Sequence, residues 1–455
     1  MVRSINRIAL LALAIVLALA LVWALVGAAV FVRKQNARAI IGVGYKVKIT
    51  CSEVFVAKRN LDDVLATQFF NIDPLMDKIK ISVDTQAKTV TGHLYGLGKS
   101  MAVYREGAGC TVFAQHGVEA VNIPVVSSAQ KAVAHTYETA IKPEVQTAVQ
   151  ALFDESALPN PIVTRGVVVI QDGKIVAEHY RDGFTKDTPQ QSWSMAKAVT
   201  QSLIGIMSGH GWIALDDTAL LPHWQGDDPR AKISLDDLLH MASGLEFLEE
   251  YANTDAAVVQ MLFNRKDMGA YASSFPLIRT PGTQSKYSSG TTNIVSKIIR
   301  IRLDALGEDY HAFPRRALFD KLGMMNTIFE VDPNGGFIGS SYIYATPRDF
   351  ARFGQFILQD GVWEEERILP EGWVNYSRQP GPGDDQYASH WMVNTDQKSM
   401  PGLPADILYI IGNDGQYIIT IPSKNTVIVR LGVTRSPATL GTDVLPLLRN
   451  IYNKL

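Results

Sequence analysis

Cysteine is almost missing from this chain: there are two in 455 residues, Cys51 and Cys110. Cys-x-x-Cys, His-x-x-x-His and His-Glu-x-x-His do not occur, which excludes the common zinc motifs. Basic tracts are missing outside the flanks of one N-terminal apolar run, net charge is −2 and the pI is about 6.5. The chain therefore has no electrostatic footprint for nucleic acid. A Gly-x-Ser-x-Gly elbow is also absent; GSSYI around Ser340 and Ser341 comes nearest and lacks the second glycine. Repeats and low-complexity tracts do not occur.

One stretch lacks charge altogether. From Ile8 to Val32 the chain reads IALLALAIVLALALVWALVGAAVFV. As a helix it would span about 37 Å, enough to cross a hydrocarbon core of ~30 Å with some tilt. A cleaved signal peptide is the alternative, with Gly27-Ala28-Ala29 as its small-residue site, but its apolar core is usually shorter, ~7–15 residues. An uncleaved anchor over residues 1–39 is the expectation. Arg3 and Arg7 precede the run while Arg33, Lys34 and Arg38 follow it, so charge bias gives no orientation. Both cysteines fall in the region just after it. That placement suits a disulfide in an oxidising compartment, or two buried thiols.

What is present divides the remainder in two. Residues 40–150 read as a small, mainly β unit with a helical linker. In IKISVDTQAKTVTGHLYG, Ile79, Ile81, Val83, Val90 and Leu94 alternate with polar residues, the period of half-buried strands. HLYGLGKS ends like a phosphate-binding loop, but His93 stands where that loop needs glycine, so a tight turn explains Gly96 and Gly98. NLDDVLATQFF and the later run SSAQKAVAHTYETAIKPEVQTAVQALFDE read as helix or loop. Residues 151–455 open with a hairpin: a β-branched run Val167–Ile170, a turn at Asp172-Gly173, then Ile175–Ala177.

Directly after the hairpin stands QSWSMAKAVT, with Ser194 three residues ahead of Lys197. The same spacing occurs at Ser128 and Lys131, where no partner motif follows and a solvated helix face is the better reading. At Ser194 the context differs. A helix from about Trp193 to Gly209 or Gly211 is apolar on nearly every side, so it is buried, and Ser194 and Lys197 share a face of its first turn. A serine hydroxyl needs a base to become a nucleophile. A lysine serves if desolvation and the positive helix terminus lower its pKa. The amide of Ser194 at the helix start suits a developing oxyanion.

Ser-x-x-Lys in this setting resembles the penicillin-recognising serine hydrolases, which include β-lactamases, DD-peptidases and related esterases. Tyr287-Ser288-Ser289 is similar to their Tyr-x-Asn or Tyr-x-Ser motif, and Asn413-Asp414-Gly415 to their Lys-Thr-Gly or His-x-Gly motif. The resemblance covers about residues 162–448 and lies closest to the class C branch, especially the 6-aminohexanoate-dimer hydrolases and family VIII-type esterases. It implies Ser194 as nucleophile, Lys197 as base, Tyr287 as proton shuttle, Gly415 as the point of close strand approach and Gln416 as second oxyanion amide. Tyr251 falls near a second active-site tyrosine of the nylon-oligomer hydrolases, against the alternative of a surface aromatic. His240 reads as structural. Asn413 is neutral where relatives carry Lys or His, and Ser289 replaces a common Asn, so recognition of a β-lactam carboxylate is not expected.

The expected fold is α/β (α+β): a β-lactamase/DD-peptidase-like antiparallel sheet flanked by helices with an all-helical subdomain, behind a small mainly β domain and a transmembrane helix. The expected activity is hydrolysis of a small ester or amide substrate without metal or organic cofactor. A DD-peptidase or β-lactamase acting on cell-wall-type substrates, and a non-catalytic acylable sensor, are the alternatives. The expected location is the cytoplasmic membrane, single-pass, with the catalytic part on the periplasmic or extracytoplasmic side.

Overall fold

The computed structural model describes residues 2–114, 136–154, 162–435 and 444–455; Ser128 and Lys131 lie outside them. No proline occurs before Pro74, and one helix, α1 (Val2–Cys51), runs through fifty residues. The helix does not break near residue 39. Its side chains are exposed from Leu13 through Lys34 and become buried from Ala39 onward. A π-helical turn over Ser52–Val56 and a left-handed Lys58 (φ +56°) end it. The short helix α2 (Leu61–Thr67) follows, capped by the Asn60 side chain on two backbone amides.

Strands begin only at Ile79, later than expected from the sequence. β1 (Ile79–Asp84), β2 (Thr89–Leu94), β3 (Leu97–Arg105) and β4 (Gly109–Ala114) form an antiparallel meander. In place of strands, α1 continues through the stretch after residue 40, with Lys46 and Lys48 buried there with partners. Val43, Val47 and Cys51 recur every four residues and face the meander, while Ile41, Tyr45 and Ile49 face the main core. The second half of α1 is thus sandwiched between two bodies. Gly98, left-handed at φ +62°, lies so close to the Ala39 backbone that no side chain would fit.

Beyond α3 (Pro143–Gln150) the hairpin β5 (Ile162–Gln171) and β6 (Lys174–Tyr180) turns at Asp172 and Gly173, φ +51° and +75°. The short strand β7 (Gln190–Gln191) leads to one 3₁₀ turn, Trp193–Met195, and then to α4 (Ala196–Gly209). A helical region follows: α5 (Leu235–Leu239), α6 (Ala257–Asn264), α7 (Met268–Ser273) and α8 (Ser289–Leu306). The Ser234–Asp237 capping box starts α5, and Ser288 caps α8. Strand β9 (Ile343–Ala345) pairs with both β7 and β8 (Ile328–Phe329), and α9 (Pro347–Leu358) returns along the main sheet. After the small hairpin β10 (Val362–Trp363) and β11 (Glu366–Arg367) and helix α10 (Trp373–Ser377) come β12 (Met392–Val393), β13 (Leu408–Gly412), β14 (Gln416–Ile421), β15 (Thr426–Thr434) and α11 (Leu445–Lys454).

The main sheet is antiparallel, in the order β12-β13-β14-β15-β5-β6. Its central strands are apolar on both faces because both are covered. Val168, Ile170, Val427 and Val429 join the large core with α4 and α9. Val167, Val169, Ile419 and Ile428 pack with α3 and α11. This sheet, flanked by helices with a helical region between its strands, is the architecture expected.

The two bodies are joined by a buried carboxylate. Glu330 accepts hydrogen bonds from Ser52 Oγ and the Cys110 amide, each at 2.7 Å, and forms an ion pair with Lys48. Cys51 and Cys110 are joined by a disulfide, with Cα atoms 6.0 Å apart. Removing one member of a fully buried pair leaves an uncompensated charge. Glu330→Ala is therefore expected to destabilise the folded chain by about 3–5 kcal/mol, read from denaturant unfolding in detergent. A loss below about 1 kcal/mol would mean that the latch contributes little.

Candidate active site

The 3₁₀ turn that leads into α4 places a serine near the surface, and the first turn of α4 places a lysine beneath it. Ser194 is partly exposed while Lys197, one turn on, is fully buried. Lys197 Nζ has three oxygen neighbours: Ser194 Oγ at 3.2 Å, Ser289 Oγ at 3.1 Å and the Ser340 carbonyl at 3.0 Å. The Tyr287 hydroxyl donates to Ser194 Oγ at 2.6 Å. The lysine ammonium also sits 4.7 Å from the centre of the Tyr287 ring, within cation–π range.

Direction matters as much as distance. The Ser289 hydroxyl donates to Glu249 Oε1 at 2.6 Å, and the Ser289 amide donates to Glu249 Oε2 at 2.9 Å. With its proton committed there, Ser289 Oγ accepts from Lys197, and the Ser340 carbonyl can only accept. A neutral Lys197 has two protons and one lone pair. Both protons are thereby assigned, and the lone pair is left facing Ser194. The arrangement can accept a proton from the Ser194 hydroxyl and from nowhere else among these neighbours.

The electrostatics agree. Desolvation lowers the Lys197 pKa to about 8, against a smaller opposing pull from Glu249. Desolvation, and then the Glu249 charge, raise the Tyr287 hydroxyl well above an ordinary phenol. Tyr287 is therefore a neutral hydrogen-bond donor at neutral pH. Its ring meets Tyr387 edge-on at 5.4 Å.

The third segment is the turn between β13 and β14. Asp414 and Gly415 are both left-handed, φ +62° and +77°. Asn413 is exposed. At Gly412 an added Cβ would collide with the Ser192 carbonyl, so this strand end lies against the segment carrying Ser194. The Gln416 side chain is occupied by Gly432, donating to its carbonyl at 2.6 Å and accepting from its amide at 3.0 Å. Beneath the turn the buried Arg430 donates to the Asp414 and Gly415 carbonyls at 3.1 and 2.7 Å.

Ser194, Lys197, Tyr287 and Ser289 thus converge. Tyr251 joins them: its ring is half exposed, but its hydroxyl donates to Glu249 Oε1 at 2.7 Å and lies 3.5 Å from Ser289 Oγ. His240 is held between the Asp236 and Gln379 carbonyls, a structural setting. Sequence reasoning missed Glu249, the Ser340 carbonyl and Arg430. The first sits in an acidic loop that reads as solvated charge, and a main-chain carbonyl leaves no trace in side-chain patterns. Among the described residues no cluster of three His, Cys, Asp or Glu is placed to hold a metal ion.

A model of the family described as Beta-lactamase matches residues 160–449, well over half of the chain. The chain belongs to the beta-lactamase family. It is also 24% identical over 307 residues to a 6-aminohexanoate-dimer hydrolase of Paenarthrobacter ureafaciens, covering 61% of this chain and 74% of that one. Among solved structures, EstCE1, a hydrolase with promiscuous acyltransferase activity, superposes with a TM-score of 0.55 at 16% identity, over 68% of this chain and 98% of its own. A penicillin-binding protein homologue from Caulobacter crescentus gives 0.55 at 16% identity, over 70% and 100%. These two likenesses concern the fold. This beta-lactamase-family chain is a serine hydrolase related to 6-aminohexanoate-dimer hydrolase. It also carries one N-terminal helix long and apolar enough to cross a membrane, a property that signal sequences share.

Since the Glu249 charge holds the Lys197 pKa up, Glu249→Gln is expected to move it below about 8. A ¹³C-lysine NMR titration, assigned with Lys197→Arg, reads the shift. A Lys197 resonance titrating near the ordinary lysine value in both proteins would contradict the desolvated setting.

Proposed function

We propose that this beta-lactamase-family hydrolase cleaves a small ester or amide through an acyl-enzyme on Ser194. The observation that carries the reading is the lone pair of neutral Lys197, left for Ser194 once Ser289 and Ser340 have taken its two protons. Lys197 takes the hydroxyl proton as Ser194 Oγ attacks the carbonyl carbon. The amides of Ser194 and Gln416 receive the developing oxyanion. As the tetrahedral intermediate collapses, Tyr287 gives its proton to the leaving oxygen or nitrogen and is reprotonated from Lys197. Water then attacks the ester. Lys197 takes the proton of that water, and Ser194 Oγ leaves as a hydroxyl once Lys197 returns the proton to it.

Three features favour esters and linear amides over β-lactams. Asn413 is neutral and exposed, where carboxylate-binding relatives carry a cation. Glu249 adds negative charge next to Ser289. The relative named a 6-aminohexanoate-dimer hydrolase supports an amide-bearing substrate. The Cys51–Cys110 disulfide supports an oxidising compartment, so the proposed location is the extracytoplasmic face of the membrane, with residues 8–32 as an uncleaved anchor.

Wild type and Ser194→Ala are to be compared on short-chain p-nitrophenyl esters, 6-aminohexanoate dimer and a chromogenic cephalosporin, with intact mass recorded during turnover. Wild type is expected to hydrolyse the first two classes through a transient adduct, and Ser194→Ala to lose at least ~10³-fold in kcat/KM. Because Lys197 acts unprotonated, kcat/KM should rise with pH through about 8 and then level. A stable adduct without turnover would point instead to an acylable sensor.

A further inference from the structure

The residue before the nucleophile is strained. Trp193 has φ +46°, a left-handed conformation that a bulky aromatic residue adopts only when its surroundings hold it there. Asp414, in the turn that ends at Gln416, is left-handed as well and buried. The two are tied together, since the Trp193 side chain hydrogen-bonds the Asp414 carboxylate. The proposed oxyanion amides belong to Ser194 and Gln416. Their separation therefore depends on two strained residues that brace each other.

Both braces end on one residue of α1. The Tyr45 ring lies parallel to the Trp193 ring, with an interplanar angle of 8° and centres 6.4 Å apart. Arg435 Nη2 donates to the Tyr45 hydroxyl at 3.3 Å, to Asp414 Oδ2 at 3.3 Å and to the Gln68 carbonyl at 2.8 Å. Phe69 and Phe263 meet the Tyr45 ring edge-on at 6.0 and 5.6 Å, so it has little room to move.

We infer that Tyr45, carried by the long N-terminal helix outside the family-matched region, is a positioning residue for the acylation site, acting on Ser194 through Trp193 and on Gln416 through Arg435 and Asp414. The inference rests on the acyl-enzyme reading above. It makes residues 40–114 part of the catalytic apparatus rather than an independent appendage. The helix orders the reacting parts without touching the substrate.

The test uses the full chain in detergent, with rates normalised to the fraction of Ser194 labelled at completion by a fluorophosphonate, so that misfolded protein does not count. For Tyr45→Leu, which removes ring and hydroxyl, kcat for p-nitrophenyl ester should fall about ten-fold or more. KM should change less than about two-fold, because ground-state binding is untouched. The rate of Ser194 labelling should fall in proportion to kcat. Tyr45→Phe, which keeps the ring on Trp193, should recover most of the rate. Asp414→Asn is a second probe that keeps the backbone conformation, since Asn tolerates the left-handed region; with rates normalised to labelled protein it should lower kcat at constant KM. Unchanged normalised kcat in both Tyr45→Leu and Asp414→Asn overturns the inference and leaves the acyl-enzyme reading standing. A wild type in which Ser194 takes no label overturns that reading, and this inference with it.

Discussion

A lysine amine held out of water, with every neighbour's hydrogen-bonding direction already decided, is the constraint around which the site is built. Burial lowers the cost of losing its proton, and Glu249 pulls the other way. The balance near neutrality would be lost if either were absent. Three separate parts of the chain have to meet for this: the first turn of α4, the start of α8, and the loop carrying Ser340. The central sheet and the apolar faces of α4 and α8 do that assembling. The hydrogen bonds then specify the proton's route instead of supplying bulk stability.

How much of this could be read from the sequence depended on range. The Ser194–Lys197 pair, the buried helix and the β5–β6 hairpin are local, and their periodicities and turn residues are visible within a dozen positions. The architecture followed from the order of three motifs. Glu249 was not legible, because its partner Ser289 lies forty positions away and an acid among acids looks solvated. Arg430 stands within an otherwise apolar strand, and nothing nearby announces that it will hold the Asp414–Gly415 turn. Short strands were expected from about residue 40, yet α1 runs on to Cys51 and carries Lys46 and Lys48 into the interior. Each is buried with acceptors supplied from elsewhere, Met76 and Ile79 for one and Glu330 for the other.

Glu330 has a structural logic of its own. Its named partners Lys48, Ser52 and the Cys110 amide all come from the N-terminal body, and two of them flank the disulfide in sequence or space. A catalytic part lacking residues 40–114 would leave that carboxylate buried without those partners, and would bare α6 and the part of the main core that the second half of α1 covers. The two bodies share one interior.

The continuity of α1 has a spatial meaning. Tyr45, beside the nucleophile segment, lies thirteen positions after Val32, the last of the uncharged run. As unbroken helix that distance is about 20 Å. If the apolar run lies in a bilayer, the hydrolase is mounted on a stiff post, not a leash. The height at which Trp193 and Ser194 stand above the lipid surface is then set by helix pitch.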